Sequence, residues 1–291
     1  FILKNIYALF VTYLQSRLIF TSRSILGRKL FELYLNAPFD YHLDHNTAEL
    51  DRNLRFENTN TFAFIQSLLT LSSNIFLIIS IFTVLILANW QAVTVIGFFI
   101  ITFSTIFLSI SGKYSKKFGN EVQKSQLKTG QAMKEGLSSI IDSKLFNIES
   151  FFPKRFFSSM MLNAKANWRQ VALGAAPTLF FEILAVNILA GSVIFLSFNN
   201  IDLKEALPIL GLFSFAFVRL LPSTSAAIKN LQDIKFLSPS VDVVYSDFIK
   251  LGKKNQTINE KRPSLLTTDF KDLKLENIFF SFSKTNKKEN Q

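Results

Sequence analysis

The chain has 291 residues, of which 49% are apolar and 33 are phenylalanine, and its mean hydropathy of +0.28 is high for so long a sequence. This composition favours a multi-pass membrane protein over a soluble domain. The net charge of +11 does not require a nucleic-acid partner, since membrane proteins collect Lys and Arg in their cytoplasmic segments. The lack of cysteine excludes a disulfide framework and a thiolate metal site.

The first predicted element is a membrane-spanning helix over residues 1–20 that continues into the cytosol. Its far end is basic, beginning at Arg17, which marks the cytoplasmic side. Apolar residues then recur at helical spacing among polar ones. Pro38 ends this helix because the residue before a proline is driven away from helical geometry. Residues 39–46 are predicted to be a polar turn, and Thr47 restarts a helix.

A membrane hairpin is predicted over residues 58–112, which contain no Lys, Arg, Asp or Glu. Its two apolar runs, residues 61–88 and 92–111, are each long enough to cross a bilayer core of about 30 Å as a helix. Only the turn at residues 89–91 separates them, so the two helices are expected to be antiparallel.

A long cytosolic helical segment is predicted after the hairpin, over residues 113–169. At 1.5 Å per residue, a helix from Ala92 to Glu135 is about 65 Å long, roughly twice the thickness of a bilayer core. Residues 135–142 have the small and apolar side chains expected of a short docking helix. The Lys-rich face from Lys113 to Lys134 is interpreted as solvated helix surface and not as a nucleic-acid patch.

The last two spans are predicted at residues 171–198 and 206–227. Pro208, Arg219 and Pro222 are expected to interrupt the second of these. Residues 251–272 have linker composition, and residues 273–282 have the pattern of a β-strand.

The positions of the basic blocks predict the topology. If residues 17–55 and 113–169 are both cytoplasmic, then residues 89–91, residues 199–205 and Phe1 are outside, which gives five spans. Five spans that start outside, without an initiator Met, lead us to expect that one further span has been cut from the front.

Three local patterns, together with the long helices, resemble the membrane domain of ABC exporters. Residues 38–50 resemble the first intracellular loop of that family, with Ala48 where Gly is usual. Residues 135–149 resemble the second loop, and residues 273–282 resemble the opening strand of the nucleotide-binding domain. The resemblance implies an all-α bundle of long helices over residues 1–250 that extends into the cytosol, then the linker at 251–272 and a truncated nucleotide-binding domain from 273 to 291.

The resemblance also implies which residues couple the helices to the ATPase domains. The implied coupling residues are Thr47, Ala48, Glu49, Leu50, Glu135, Gly136, Leu137, Ile140 and Asp142. Phe282 falls where the family has the tyrosine that stacks on adenine. ATP and Mg²⁺ are expected cofactors of the full-length protein, but residues 1–291 contain no G-x-x-x-x-G-K-[ST] phosphate loop, so this fragment is expected to bind neither and to lack ATPase activity.

Residues 218–239 are similar to the last span of lipid-linked oligosaccharide flippases of the PglK type. The implied substrate is therefore lipid-linked or amphipathic, and Arg219 and Glu182 are the candidate substrate residues. Arg219 has two open interpretations: its guanidinium binds a phosphate head group, or it snorkels or pairs with an acid. For Glu182, pairing with a cation such as Arg219 is favoured over cation binding or proton transfer.

Two other functions are compatible with the same sequence features. The first alternative is an exporter of drugs, peptides or lipid A-like lipids, and the second is a membrane sensor or scaffold without transport. No metal site is predicted, because His42 and His45 are interpreted as solvated loop residues. The expected partners are the nucleotide-binding domain of the same chain, a second half-transporter in a homodimer and the lipid substrate, with no nucleic acid. The expected location is the bacterial inner membrane.

Overall fold

In the computed structural model, residues 2–88, 90–198 and 203–261 are described, and all regular structure among them is helical. The helices are α1 (Ile2–Leu35), α2 (Phe39–Asp44), α3 (Thr47–Arg52), α4 (Asn58–Ala88), α5 (Trp90–Ser138), α6 (Ile140–Leu145), α7 (Phe151–Phe198) and α8 (Leu203–Lys261). A π-helical turn, Asn53–Glu57, joins α3 to α4 without a break. The predicted all-α class is therefore confirmed for these residues.

The connection between α1 and α3 contains more helix than the sequence predicts. Helix α1 ends at Leu35, as expected from Pro38. The predicted polar turn at residues 39–46 is wrong in part, because Pro38 precedes the six-residue helix α2. A proline suits the start of a helix, where its missing N–H has no partner to lose. The side chain of Asn46 then caps α3 by accepting a 2.9 Å hydrogen bond from the Ala48 N–H.

Helices α7 and α8 both run without a break through internal prolines. Pro177 lies inside the 48-residue α7. The interruption predicted in the last span is wrong, since the 59-residue α8 continues through Pro208, Arg219 and Pro222. It also continues to Lys261, so the first part of the predicted linker is helical. The predicted strand at residues 273–282 lies outside the described residues.

Helix α8 lies at the centre of the bundle. It is antiparallel to α4, because Leu85 packs on Leu220 near one end while the Asn60 amide donates to the Ser240 hydroxyl near the other. It is parallel to α5, which it meets at Phe236 and Gly119. Buried clusters join α8 to α1 at one end and to α5 and α7 further along. The two halves of the predicted hairpin therefore pack little on each other: α4 lies mainly against α8, and α5 lies against both α7 and α8.

Two helical segments among the described residues are long and apolar enough to cross a membrane, Thr47–Leu87 and Phe151–Asn187. They contain most of the span predicted at residues 61–88 and part of that at 171–198. Only 6% of the most apolar window in the first segment is buried within the chain. Phe76, Val84 and Leu87 are among its exposed apolar side chains. So much uncovered apolar surface calls for lipid or a protein partner. The spans predicted at 1–20, 92–111 and 206–227 stay predictions.

Candidate functional site

The two predicted coupling segments lie side by side at one end of the bundle. The Nζ atom of Lys134, one residue before Glu135, donates a 2.9 Å hydrogen bond to the carbonyl oxygen of Thr47. One turn earlier, Gly130 leaves room for the buried Ala48, whose Cβ would lie 4.0 Å from a Cβ on the glycine. Segments 87 residues apart in sequence thus form one surface.

The first segment presents little of itself to solvent. Thr47 is exposed, Ala48 is buried against α5, and Glu49 and Leu50 are half-buried. Leu50 faces inward and packs on the cluster formed by Leu30 and Tyr34 of α1. Leu50 therefore holds α3 to the bundle, a placement that does not depend on any ATPase domain.

The second segment is rigidly held. Glu135 forms an ion pair with Arg155, which ties the end of α5 to the start of α7. Gly136 lies against the ring of Phe152, where a Cβ would come within 3.1 Å of the ring carbon Cγ. Asp142 is exposed in α6, and its carbonyl oxygen accepts a 2.9 Å hydrogen bond from the Phe146 N–H.

Helix α6 ends in a Schellman motif. Asn147 has a left-handed φ of 54°, and the Ile148 N–H donates a 3.1 Å hydrogen bond to the Ser143 carbonyl. The motif reverses the chain within a few residues, so α7 can begin at Phe151 and return along α5.

An apolar surface covers this end of the bundle, and we call it the tip patch. Its members have between 50% and 75% of their surface exposed: Leu137, Ile140, Ile141, Leu145 and Phe146. Leu137 and Ile140 also line an open cavity of about 340 Å³ between α5, α6 and α7. Apolar side chains concentrated on the end of a helical hairpin are typical of a protein interaction site.

A buried polar cluster beside α3 was not predicted from the sequence. Arg52 and Glu57 are 8% and 0% exposed, and the Arg52 Nε lies 3.1 Å from a carboxylate oxygen of Glu57. The π-helical turn lies between them, and such turns are frequent at functional sites. In the sequence, Arg52 and Glu57 belong to the last block of charged residues before the charge-free hairpin, which could have marked the cluster. Sequence alone does not show that these two charges are buried.

The same cluster fixes α1 against α8. Asp247 of α8 accepts hydrogen bonds from the Tyr34 hydroxyl, at 2.5 Å, and from the Asn53 amide, at 3.0 Å. Burial raises the pKa of Tyr34 well above its usual value, and the bond to the Asp247 carboxylate raises it further. Burial also raises the pKa of Tyr41, with a further contribution from the charge of Asp247.

The remaining predicted site residues lie only partly within the described structure. Glu182 is exposed on α7, while Arg219 lies in α8 with a side chain outside the described part, so their pairing is untested. Phe282 is also outside the described residues. His42 and His45 contact the carbonyl oxygens of Tyr34 and Tyr41 at 3.0 and 2.9 Å.

The described part of the chain shows no arrangement of side chains suited to binding a metal ion. No group of three or more His, Asp or Glu side chains is arranged there to hold a metal ion.

No protein-family model matches this chain.

Proposed function

We propose that the chain is the membrane-spanning part of an ATP-driven exporter of the ABC class, which moves a lipid-linked or amphipathic substrate. The observation that carries the proposal is the tip patch, which lies beside α3 at the end of two helices of 49 and 48 residues. The apolar ends of α5 and α7 suit a bilayer, and their Lys-rich ends suit water. Movement of the tip patch is therefore movement of the helices that reach into lipid.

The proposed mechanism is rigid-body coupling. An ATPase domain would receive the tip patch in a groove, and closure of two such domains around ATP and Mg²⁺ would shift the α5–α7 pair as a unit. The contacts that stiffen the pair support this role: Glu135 with Arg155, Gly136 with Phe152, and the Asn163 amide with the Ser125 hydroxyl at 3.2 Å. Hydrolysis belongs to the ATPase domain and not to residues 1–261.

The proposed partners follow from this role. The ATPase domain would begin near residue 273 and place Phe282 against adenine, and a second copy of the chain would complete a homodimeric transporter in the bacterial inner membrane. A phosphate loop within about 30 residues after Gln291 in the gene's reading frame would support this, since one strand-loop-helix unit has that length. A domain of another kind there would favour the sensor or scaffold and contradict transport.

The decisive experiment separates hydrolysis from transport in the full-length protein. Leu137→Asp with Ile141→Asp places two charges in the tip patch, where both side chains are at least 70% exposed and contribute little to folding. We expect substrate transport to be lost and ATP hydrolysis to lose its stimulation by substrate, with thermal stability unchanged. Phe157→Asp, on exposed α7 surface outside the tip patch, is the control and should transport normally. Normal transport by the double variant would contradict the proposal.

The substrate class has its own test. Stimulation of ATP hydrolysis by polyprenyl-pyrophosphate glycans would favour the flippase over an exporter of drugs, peptides or lipid A-like lipids. An unchanged response in Arg219→Ala would count against a phosphate role for Arg219.

A further inference from the structure

An apolar groove of about 530 Å³ lies between α4 and α5, with α8 as its floor. The two outer helices contact each other near their connection, where Phe82 lies against Gly97, and the groove opens further along. It is lined by side chains such as Ile79, Ile86, Ile101, Leu108, Ile228 and Leu231. Because all of α4 and this part of α5 lack charged residues, the groove suits a hydrocarbon chain.

A basic groove of about 610 Å³ lies on α5 and α8, in the direction of the tip patch. Five lysines and one acid line it: Lys113, Lys116, Lys117, Lys124, Lys235 and Glu121. Lys235 comes from α8 and lies across Gly112 of α5, with its Nζ atom 3.0 Å from where a Cβ on the glycine would be. The sequence predicts the lysines of α5 as a solvated face, and the fold adds a fifth lysine from a helix more than 100 residues later in the chain.

Within the described part of the chain, the lysines of the basic groove form no ion pair. The ion pairs among the described residues join other side chains, and none includes these lysines or Glu121. Lys113 and Lys117 are four residues apart on one helix, an arrangement of like charges that weakens the helix. An anion would relieve this repulsion, and an ammonium group is a common phosphate ligand.

The apolar and basic grooves are consecutive parts of one channel along α5 and α8. On α5, Leu108 lines the apolar groove and Gly112 lines the basic groove. On α8, Leu231 lines the apolar groove and Lys235 lines the basic groove. Residues four apart in a helix lie on the same face, one turn along. The change from apolar to basic therefore occurs at the same level on both helices, where the charge-free stretch of α5 ends.

We propose that this channel binds one membrane lipid with an anionic, phosphate-bearing head group, its hydrocarbon chain between α4 and α5 and its phosphate among the five lysines. The site rests on the proposed function in one respect, the placement of α4 and α5 in lipid, and it narrows the substrate or regulator to this lipid class. A nucleotide is a poor fit, since no aromatic side chain lines the basic groove to stack a base. A free phosphate would leave the adjoining apolar groove unused.

The test uses the lack of cysteine in the chain, which allows one fluorophore to be attached at one site. Labelling of Thr105→Cys with bimane places the fluorophore in the apolar groove. The labelled protein is reconstituted in phosphatidylcholine that contains increasing fractions of brominated phosphatidylglycerol or, in a parallel series, of brominated phosphatidylcholine. We expect the anionic lipid to quench at a roughly tenfold lower mole fraction, a preference that a few phosphate–lysine contacts can supply. Equal quenching by both lipids would overturn the proposal.

Matched variants test the lysines. Lys116→Gln, Lys117→Gln and Lys235→Gln together should abolish the preference at residue 105. Lys128→Gln, Lys154→Gln and Lys165→Gln remove the same charge from exposed positions outside the groove and should keep it. A preference that survives the first set, or is lost equally in both, would overturn the site. So would full displacement of the anionic lipid by millimolar pyrophosphate, which would indicate a site for free anions.

A second label separates this inference from the proposed function. Ile183→Cys is 64% exposed on α7, inside a segment apolar enough to cross a membrane and outside the channel. It should be quenched by both brominated lipids without preference. Quenching at neither residue 105 nor residue 183 would overturn the membrane placement and the lipid site together, whereas quenching at both without head-group preference would overturn the lipid site alone.

Discussion

The hydroxyl of Tyr34 donates a 2.5 Å hydrogen bond to the carboxylate of Asp247, joining residues 213 positions apart in the chain. The same carboxylate oxygen accepts the Asn53 amide at 3.0 Å. Helix α1, the π-helical turn and helix α8 therefore meet at one acid. Few other contacts hold α1, because most of its side chains from Ile2 to Leu18 are exposed.

Tyr34→Phe should lower the free energy of unfolding by about 1.5–3 kcal/mol, the range for a hydrogen bond to a charged group. The reason is that the half-buried carboxylate of Asp247 loses one of its two donors. SDS titration in mixed micelles measures the change. Tyr245→Phe on α8 is the control, because that side chain is 66% exposed. Equal stability of the two variants would show that the Tyr34 bond contributes nothing.

The raised pKa of Tyr34 and Tyr41 predicts a loss of stability at alkaline pH. An unfolded tyrosine releases its proton near pH 10, whereas the two folded tyrosines, with their raised pKa, release theirs only at higher pH. Between these values the unfolded chain binds fewer protons, so the free energy of unfolding falls as the pH rises. Tyr34→Phe with Tyr41→Phe should make this fall shallower above about pH 10 and leave the slope of stability against pH unchanged below it, measured from unfolding curves at each pH. Parallel curves for wild type and variant would contradict the assignment.

Arg52→Ala should lower the free energy of unfolding by about 3–5 kcal/mol, because it leaves the fully buried Glu57 without its cation. Arg52→Met with Glu57→Leu removes both charges and should recover most of that loss. A double-mutant cycle in the same micelle assay gives the coupling energy. Additive effects would show that the two side chains do not interact.

Gly119→Ala should separate α5 from α8. A Cβ on Gly119 would lie 2.0 Å from the carbonyl oxygen of Phe236, and neither backbone can move aside cheaply. Overpacking of this kind costs about 1–3 kcal/mol. Gly252→Ala is the matched control, since it has nothing within 4 Å and should gain up to about 1 kcal/mol from helix propensity. Similar results for both glycines would exclude a close crossing at Gly119.

Asn147→Gly should stabilise the end of α6 by a few tenths of a kcal/mol, because glycine adopts a left-handed φ of 54° without a Cβ penalty. Asn147→Val should destabilise it by about 1–3 kcal/mol, since a β-branched residue is strained there. Amide hydrogen exchange at Phe146 and Ile148 reports on this turn directly. Faster exchange in the glycine variant would contradict the expectation.

The features with local causes were predictable from the sequence. Pro38 and the helical spacing of apolar residues are one-dimensional signals, and the structure has the end of α1 and the long α5 that were predicted, with α3 starting at Thr47 as expected. The short helix expected at residues 135–142 is displaced to Ile140–Leu145, because α5 continues to Ser138.

The features that depend on packing were not predictable. Pro208, Arg219 and Pro222 were expected to interrupt the last span, but α8 continues through all three. An apolar side chain at Leu50 is compatible with contact to an ATPase domain or to α1. Only the fold shows that Leu50 packs on α1. Likewise, one lysine among 32 basic residues gives no sign in sequence that it will lie across Gly112.

The crossing at Gly119 gives α5 the properties of a lever. Since the glycine there lets the backbone of α5 come into contact with that of α8, backbone atoms set the spacing between the two helices at that level, and a rigid α5 that tilted about this point would have two arms of unequal length. The arm towards Ser138 is about 29 Å long and the arm towards Trp90 about 44 Å. A push of about 2 Å at the short arm thus becomes about 3 Å of opposite travel at the long one. The missing side chain at Gly119 therefore sets both the pivot point of α5 and the ratio of the movements at its two ends.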